Sequence, residues 1–401
     1  LWNLPSRLLP EGSGGNSGRR FRVIFAHYFL HLLPMTPITT EAVLNALSYV
    51  EEPDLGKDLV TLNMVEDVQV DGRKVSFTVV LTTPACPLKE LIHNACVRAI
   101  HTMVDKDAEV TVNMTSRVTS MRQNHDLLPG VKNIIAIASG KGGVGKSTVT
   151  ANLAIALAKT GARVGLVDAD ISGPSMPLMF GVEDARPHVY RTPEGRNLIE
   201  PVEAHGVKLM SIGFLAPAES ALVWRGPMAS SALKQFITEV DWGELDYLLL
   251  DMPPGTSDIH LTMVQTVPVT GAVIVTTPQK VALADAEKGL QMFRLPQINV
   301  PVLGVVENMA WFTPAELPEN RYFIFGEGGG KGLAEKHQAP LLGQIPLVQS
   351  IRENGDRGTP AILEAGAAPA EVFGQLAEEL ARQVSIRNAV APRTQVVEMN
   401  R

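Results

Sequence analysis

Residues 140–148 read Gly-Lys-Gly-Gly-Val-Gly-Lys-Ser-Thr, a spacing suited to holding phosphate. Gly140, Gly142, Gly143 and Gly145 let the backbone turn sharply and aim successive N–H groups at phosphate oxygens, with Val144 and Thr148 completing the loop. A helix starting here adds its positive N-terminal end. Lys146 supplies a point charge to the β- and γ-phosphates, and Ser147 Oγ is the expected Mg²⁺ ligand. Lys141 is superfluous within one subunit, because Lys146 already covers the phosphates. Its place suits a reach in trans to the nucleotide of a facing subunit. The chemistry expected here is ATP binding by a chain that works as a pair.

Two acidic stretches complete such a site. Residues 166–170, Leu-Val-Asp-Ala-Asp, put Asp168 and Asp170 where a strand ends. At the carboxyl edge of an open α/β sheet, one carboxylate can hold Mg²⁺ through water and another can orient an attacking water. Capping of a helix by Asp170 is the plainer alternative. Residues 247–258 form an apolar strand that ends at Asp251 and runs into Met-Pro-Pro-Gly-Thr-Ser-Asp. Asp251 suits magnesium support, Gly255 suits backbone that meets the γ-phosphate, and Asp258 reads as a helix cap.

These side chains need strands and helices to position them. An apolar run over 133–139 precedes the loop, and helical spacing over 147–159 follows it and stops at Gly161. Further strands are expected over 164–167, 207–212, 247–250, 272–276, 302–306 and 341–344, with helices over 229–239, 282–293 and 370–383. The alternation predicts a mostly parallel sheet covered by helices on both faces over residues 133–385. Before it, residues 35–118 read as a small α+β domain. Helices are expected over 40–50 and 87–104, strands over 59–70, 74–82 and 109–113, and a hairpin at Asp71-Gly72. Residues 119–132 read as a linker and 386–401 as a polar tail.

Composition fits this division. The chain has 401 residues, 45% hydrophobic and 5% aromatic, which suits a Gly- and Ala-rich α/β protein of two domains. A net charge of −7 argues against broad nucleic-acid binding. Cys86 and Cys96 are the only cysteines, so no disulfide framework is implied and a reducing cytoplasm is expected. Residues 1–34 combine a Gly/Ser stretch, Arg19-Arg20 and an apolar run broken by Arg22, His27 and His31. That run is too short and polar to span a bilayer. An upstream extension before Met35 is favoured over a leader peptide.

The motifs also occur in a recognisable order. The phosphate loop, VDADISGPSMP (167–177), VWRGPM (223–228), DMPPGTSD (251–258), VTTPQ (275–279), VVENM (305–309) and FGEGGG (325–330) together resemble the Mrp/ApbC family. These are P-loop ATPases related to the MinD/ParA group that bind and carry iron–sulfur clusters. The segments EPDLG (52–56) and TTPACP (82–87) resemble the small iron–sulfur assembly domain fused to many of them. The resemblance implies a homodimer with Lys141 acting across it, Lys146 and Ser147 on phosphate and Mg²⁺, Asp170 on water and Asp251 on Mg²⁺. It also implies Asn308 at the base, Pro346 in a loop over adenine, and partners that are assembly proteins and cluster-requiring apoproteins.

One part of the family pattern is missing. Members usually carry Cys-x-x-Cys soon after the Glu-Asn-Met segment, and this chain has AWFTPAELPEN (310–320) there. Glu316 and Glu319 keep the spacing, but carboxylates suit iron–sulfur clusters poorly. Cys86, ahead of a helix whose positive end would favour thiolate, is a candidate ligand for a cluster or metal, or a partner contact. Cys96 falls on a core face of that helix and reads as a small hydrophobe. A MinD/ParA-like dimerisation switch or a scaffold is the alternative function. The acidic helix over 370–383 lacks the basic amphipathic face such switches use on membranes. A nitrogenase-reductase-like electron donor fails for want of cysteines in the ATPase domain.

Overall fold

The computed structural model describes residues 37–121, 128–170, 173–214, 226–256, 258–314 and 316–390, with 226–230 and 258 as backbone only. The 1–34 extension, residues 122–127 of the linker, Ile171 and Ser172, residues 223–225 and the tail from 391 lie outside the described residues, as does the Asp258 side chain.

The small unit runs α1 (Thr40–Leu47), β1 (Glu51–Glu52), β2 (Lys57–Asp58), β3 (Val65–Asp71), β4 (Lys74–Leu81), α2 (Lys89–Met103) and β5 (Glu109–Ser116). Thr39 Oγ1 accepts the Ala42 N–H at 3.1 Å and fixes the start of α1. Strands β3 and β4 close as a hairpin at Asp71↔Lys74, where Gly72 takes φ +61°, and β5 adds in parallel to β4. Alternate residues of β4 and one face of α2 meet in a core that includes Phe77, Ile92, Cys96 and Ile100. The strand expected from residue 59 starts later, because residues 59–63 turn before β3.

The large unit continues with β6 (Val131–Ala138), α3 (Lys146–Lys159), β7 (Val164–Asp168), α4 (Met176–Met179), β8 (Val189–Arg191), β9 (Asn197–Ile199), β10 (Val202–Ala204) and β11 (Val207–Ser211). It goes on through α5 (Gly226–Thr238), β12 (Leu245–Asp251), α6 (Asp258–Thr266), β13 (Gly271–Thr276), α7 (Lys280–Arg294) and β14 (Val302–Glu307). Last come α8 (Gly329–Lys336), β15 (Leu341–Gln344), α9 (Gln349–Asp356) and α10 (Ala368–Val390). The eight-stranded sheet has the order β10-β11-β7-β12-β6-β13-β14-β15, and every pairing but β10–β11 is parallel. All residues of β12 and β13 are buried, as strands covered on both faces must be.

Two further boundaries differ from expectation in ways that bear on the packing. β6 begins at Val131, and Asn133 Nδ2 donates to Thr119 O at 3.0 Å, so the end of the linker belongs to the sheet. The polar tail expected from 386 is helical as far as Val390. Asn388 is buried and Nδ2 donates to Asn133 Oδ1 and Thr119 O, both at 3.0 Å, so its polarity serves an internal network.

Three glycines mark two places where backbones touch. A Cβ on Gly140 would overlap the backbone of Asp285 and Ala286 in α7. Its glycine requirement therefore comes from packing as well as from phosphate. Gly140→Ala is expected to cost roughly 3 kcal/mol, read as a lower urea midpoint at unchanged slope. An unchanged midpoint would mean that α7 yields freely. Gly181 and Gly358, both at positive φ, bring the loops after α4 and α9 together; a Cβ on Gly358 would lie 2.6 Å from Gly181 N.

Candidate functional site

The parallel strands send their carboxyl ends to one edge, and the sequence motifs converge there. β6 feeds the loop 139–145, in which Gly143 and Gly145 take φ +81° and +80°, a region only glycine enters freely. β12 lies next to β6, so Asp251 at its end faces the first turn of α3. Lys146 Nζ lies 2.7 Å from Asp251 Oδ2, with side chains 6% and 0% exposed. Ser147 Oγ donates to the same oxygen at 2.7 Å. Thr150 Oγ1 donates to Asp251 Oδ1 at 2.7 Å, and no motif singled that residue out. Its only signal was a hydroxyl one helical turn beyond Ser147.

Asp168 ends β7 beside Asp251 and is wholly buried. Its Oδ2 accepts the Ser175 and Met176 N–H groups at 3.1 and 3.2 Å and Ser211 Oγ–H at 3.0 Å. Burial, then the neighbouring Asp251 carboxylate, push its pKa up to about 7. Asp168 thus anchors the loop leading into α4 while standing beside Asp251, where magnesium support is expected. Asp170 stands two residues on, half-buried, and lines the cleft over the phosphate loop. Lys141 is exposed at the mouth of that cleft, its carbonyl held by Ser139 Oγ at 3.0 Å.

The cleft over the loop encloses about 220 Å³, and a second one of about 270 Å³ adjoins it at Gly145, Thr148 and Met179. Together they fall within the ~300–1,000 Å³ of small-molecule sites. Asn308 and Pro346 line the second cleft, with Ile351 and Arg352 of α9 opposite. Asn308 Nδ2 donates to Val144 O at 2.9 Å, which fixes the amide, and a Cβ on Gly145 would overlap it. Nothing in the sequence pointed to α9. Glu307 beneath accepts the N–H groups of Gly330 and Lys331 at the start of α8, and a Cβ on Gly330 would overlap its side chain, which explains that glycine of FGEGGG.

The cysteines lie elsewhere. Cys96 is fully buried in the small core, and burial pushes its thiol up to about 12. Cys86 is half-buried where the small unit meets α10. The structure corrects its expected character. Desolvation, reinforced by Glu52, Asp54 and Glu378, raises its pKa, and α2 begins only at Lys89 and does not reverse this. Glu316 and Glu319 are exposed on the loop before α8. Among the described residues, no group of three or more His, Cys, Asp or Glu side chains could hold a metal, and no helix is long and apolar enough to cross a membrane.

Comparison with known proteins agrees with this geometry. A family profile described as NUBPL iron-transfer P-loop NTPase matches residues 130–384, and one described as iron-sulfur cluster assembly protein matches 40–112. The iron-sulfur cluster carrier protein of Synechocystis sp. is 49% identical over 352 residues, spanning 87% of this chain and 99% of its own. The chloroplastic Fe-S cluster assembly factor HCF101 of Oryza sativa is 42% identical over 329 residues, 80% of this chain and 59% of that one. Among solved structures, a nucleotide-binding protein in complex with ADP from Archaeoglobus fulgidus is 40% identical. It covers 61% of this chain and 92% of its own, with a TM-score of 0.52.

Proposed function

We propose, because this chain belongs to the NUBPL iron-transfer P-loop NTPase family, that it is an ATP-driven iron–sulfur cluster carrier which hydrolyses ATP as a homodimer. The observation that carries the reading is the joining, in one chain, of an intact phosphate and magnesium constellation to an assembly-type unit packed against it. The clusters are cargo taken up from assembly proteins and passed to apoproteins, and the cytoplasm is the expected setting.

The donor set at the loop suits magnesium, since Ser147 Oγ and Asp251 Oδ2 are hard oxygens already brought together. Bound there, Mg²⁺ would neutralise charge on the β- and γ-phosphates. The chain's own groups supply the rest. Loop N–H groups and Lys146 hold the phosphates, while Asn308 and Pro346 hold the base. Asp170 orients water for in-line attack on the γ-phosphorus. One bond forms from water oxygen to phosphorus and the bond to the β-bridging oxygen breaks, leaving ADP and phosphate. Lys146 and Lys141 from the facing subunit offset the charge that develops.

The test is anaerobic reconstitution with ferrous iron and sulfide, followed by visible absorption spectra and by activation of a cluster-requiring apoenzyme. Wild type is expected to take up and transfer cluster, and Cys86→Ala to lose most of both. Wild type that takes up none and activates nothing sinks the carrier role. ATP-dependent dimerisation without any cluster would instead favour a MinD/ParA-like switch.

A further inference from the structure

We infer that the Asp54–Arg382 ion pair is a latch, clamping the Cys86 loop onto the nucleotide-binding unit and closing that thiol to cargo until it opens. Two contacts seat the loop itself, and a third, made by the neighbouring 52–56 turn, closes across it. Ala85 is buried in the core of the large unit, not of its own. Thr83 Oγ1 lies 3.2 Å from the Tyr247 hydroxyl on β12, with both residues buried. Across the thiol, Arg382 Nε and Nη2 on α10 both reach Asp54 Oδ1 at 2.7 Å, and Glu379 braces the guanidinium at 3.1 Å.

The space left decides what the thiol can do. The cleft shared by Glu52, Asp54, Cys86 and Arg382 encloses about 10 Å³, room for one water at most. Neither a cluster nor a single iron with its remaining ligands fits. Pro84 and Pro87 fix φ on either side of Ala85-Cys86, so the thiol is uncovered by moving the loop and not by a local turn. Burial, reinforced by the surrounding carboxylates, also disfavours thiolate while the loop is docked. Only Asp54–Arg382 among the three contacts is a charged pair at the rim, partly open to water at 13% and 33% exposure, and so can be exchanged for other charges.

The inference rests on the carrier reading only for what the freed thiol meets. The latch itself is tested without a cluster, by the rate at which iodoacetamide alkylates Cys86 in the full chain, followed by mass spectrometry. Buried Cys96 is the internal zero. Arg382→Gln and Asp54→Asn are each expected to speed labelling about tenfold, and the double variant to label no faster than either single one. Unchanged rates, or a double variant showing the product of the two effects, would overturn the latch. A variant that also labels Cys96 has lost its fold. Tyr247→Phe, which removes one hydroxyl from the other side of the loop, then takes its place with the same expected acceleration. Failure of cluster uptake would leave these rates untouched, so the two readings fall separately.

Discussion

Lys141→Ala is expected to slow ATP hydrolysis by about 10²–10³-fold while leaving ATP affinity within about threefold. The side chain is exposed at the cleft mouth, and the loop carbonyl beside it is held by Ser139, so its loss disturbs nothing inside one subunit. Its contribution would be felt only when a second chain closes over the cleft. Single-turnover hydrolysis and nucleotide titration separate the two effects. Mixing gives the sharper check. In a heterodimer of Lys141→Ala and Asp170→Ala chains, one site regains both an intact Asp170 and a lysine from across the interface. Activity above that of either variant alone is expected, and a mixture as inactive as its components would end the role in trans.

Lys146→Ala should act twice. Losing the cation from the phosphate loop should weaken ATP binding by at least about 100-fold, as a charge-assisted contact to phosphate is lost. The same change leaves Asp251 buried beside Asp168 with no cation against either carboxylate. Breaking a buried ion pair typically costs about 3–5 kcal/mol, so the nucleotide-free protein should unfold at markedly lower denaturant. Adding Asp251→Asn removes the orphaned charge. The double variant should regain most of the stability and none of the ATP affinity. A single variant as stable as wild type would mean that Asp251 does not depend on Lys146.

Much of the fold was legible because the buried strands are written as unbroken apolar runs. β12 and β13 need no partner information to be found, and the phosphate loop between β6 and α3 carries its own punctuation. What sequence could not carry was tertiary: which carboxylate each hydroxyl would meet, and which helix would wall the cleft beside Asn308. Thr150 looks like any helical threonine until β12 brings Asp251 against it. Asp168 and Asp170 have the same local spacing, yet the first is anchored by four donors and the second faces the cleft. Cys86 misled for a related reason. Its place before α2 suggested a helix dipole, but burial dominates its chemistry, reinforced by acidic residues from the 52–54 turn and from α10. The C-terminal residues read as polar and free because Asn388 spends its polarity inside.

The backbone touch between Gly181 and Gly358 has a mechanical consequence. The first follows α4, whose leading N–H groups Asp168 holds, just beyond Asp170. The second follows α9, which forms a wall of the cleft lined by Asn308 and Pro346. No side chain stands between them to act as a cushion, so displacement of one loop would be met directly by the backbone of the other. Under the proposed assignment, with the base between Asn308 and Pro346 and the phosphates on the Gly140 loop, a shift of α9 is expected to press on the loop after α4, so that the two clefts would answer to one contact.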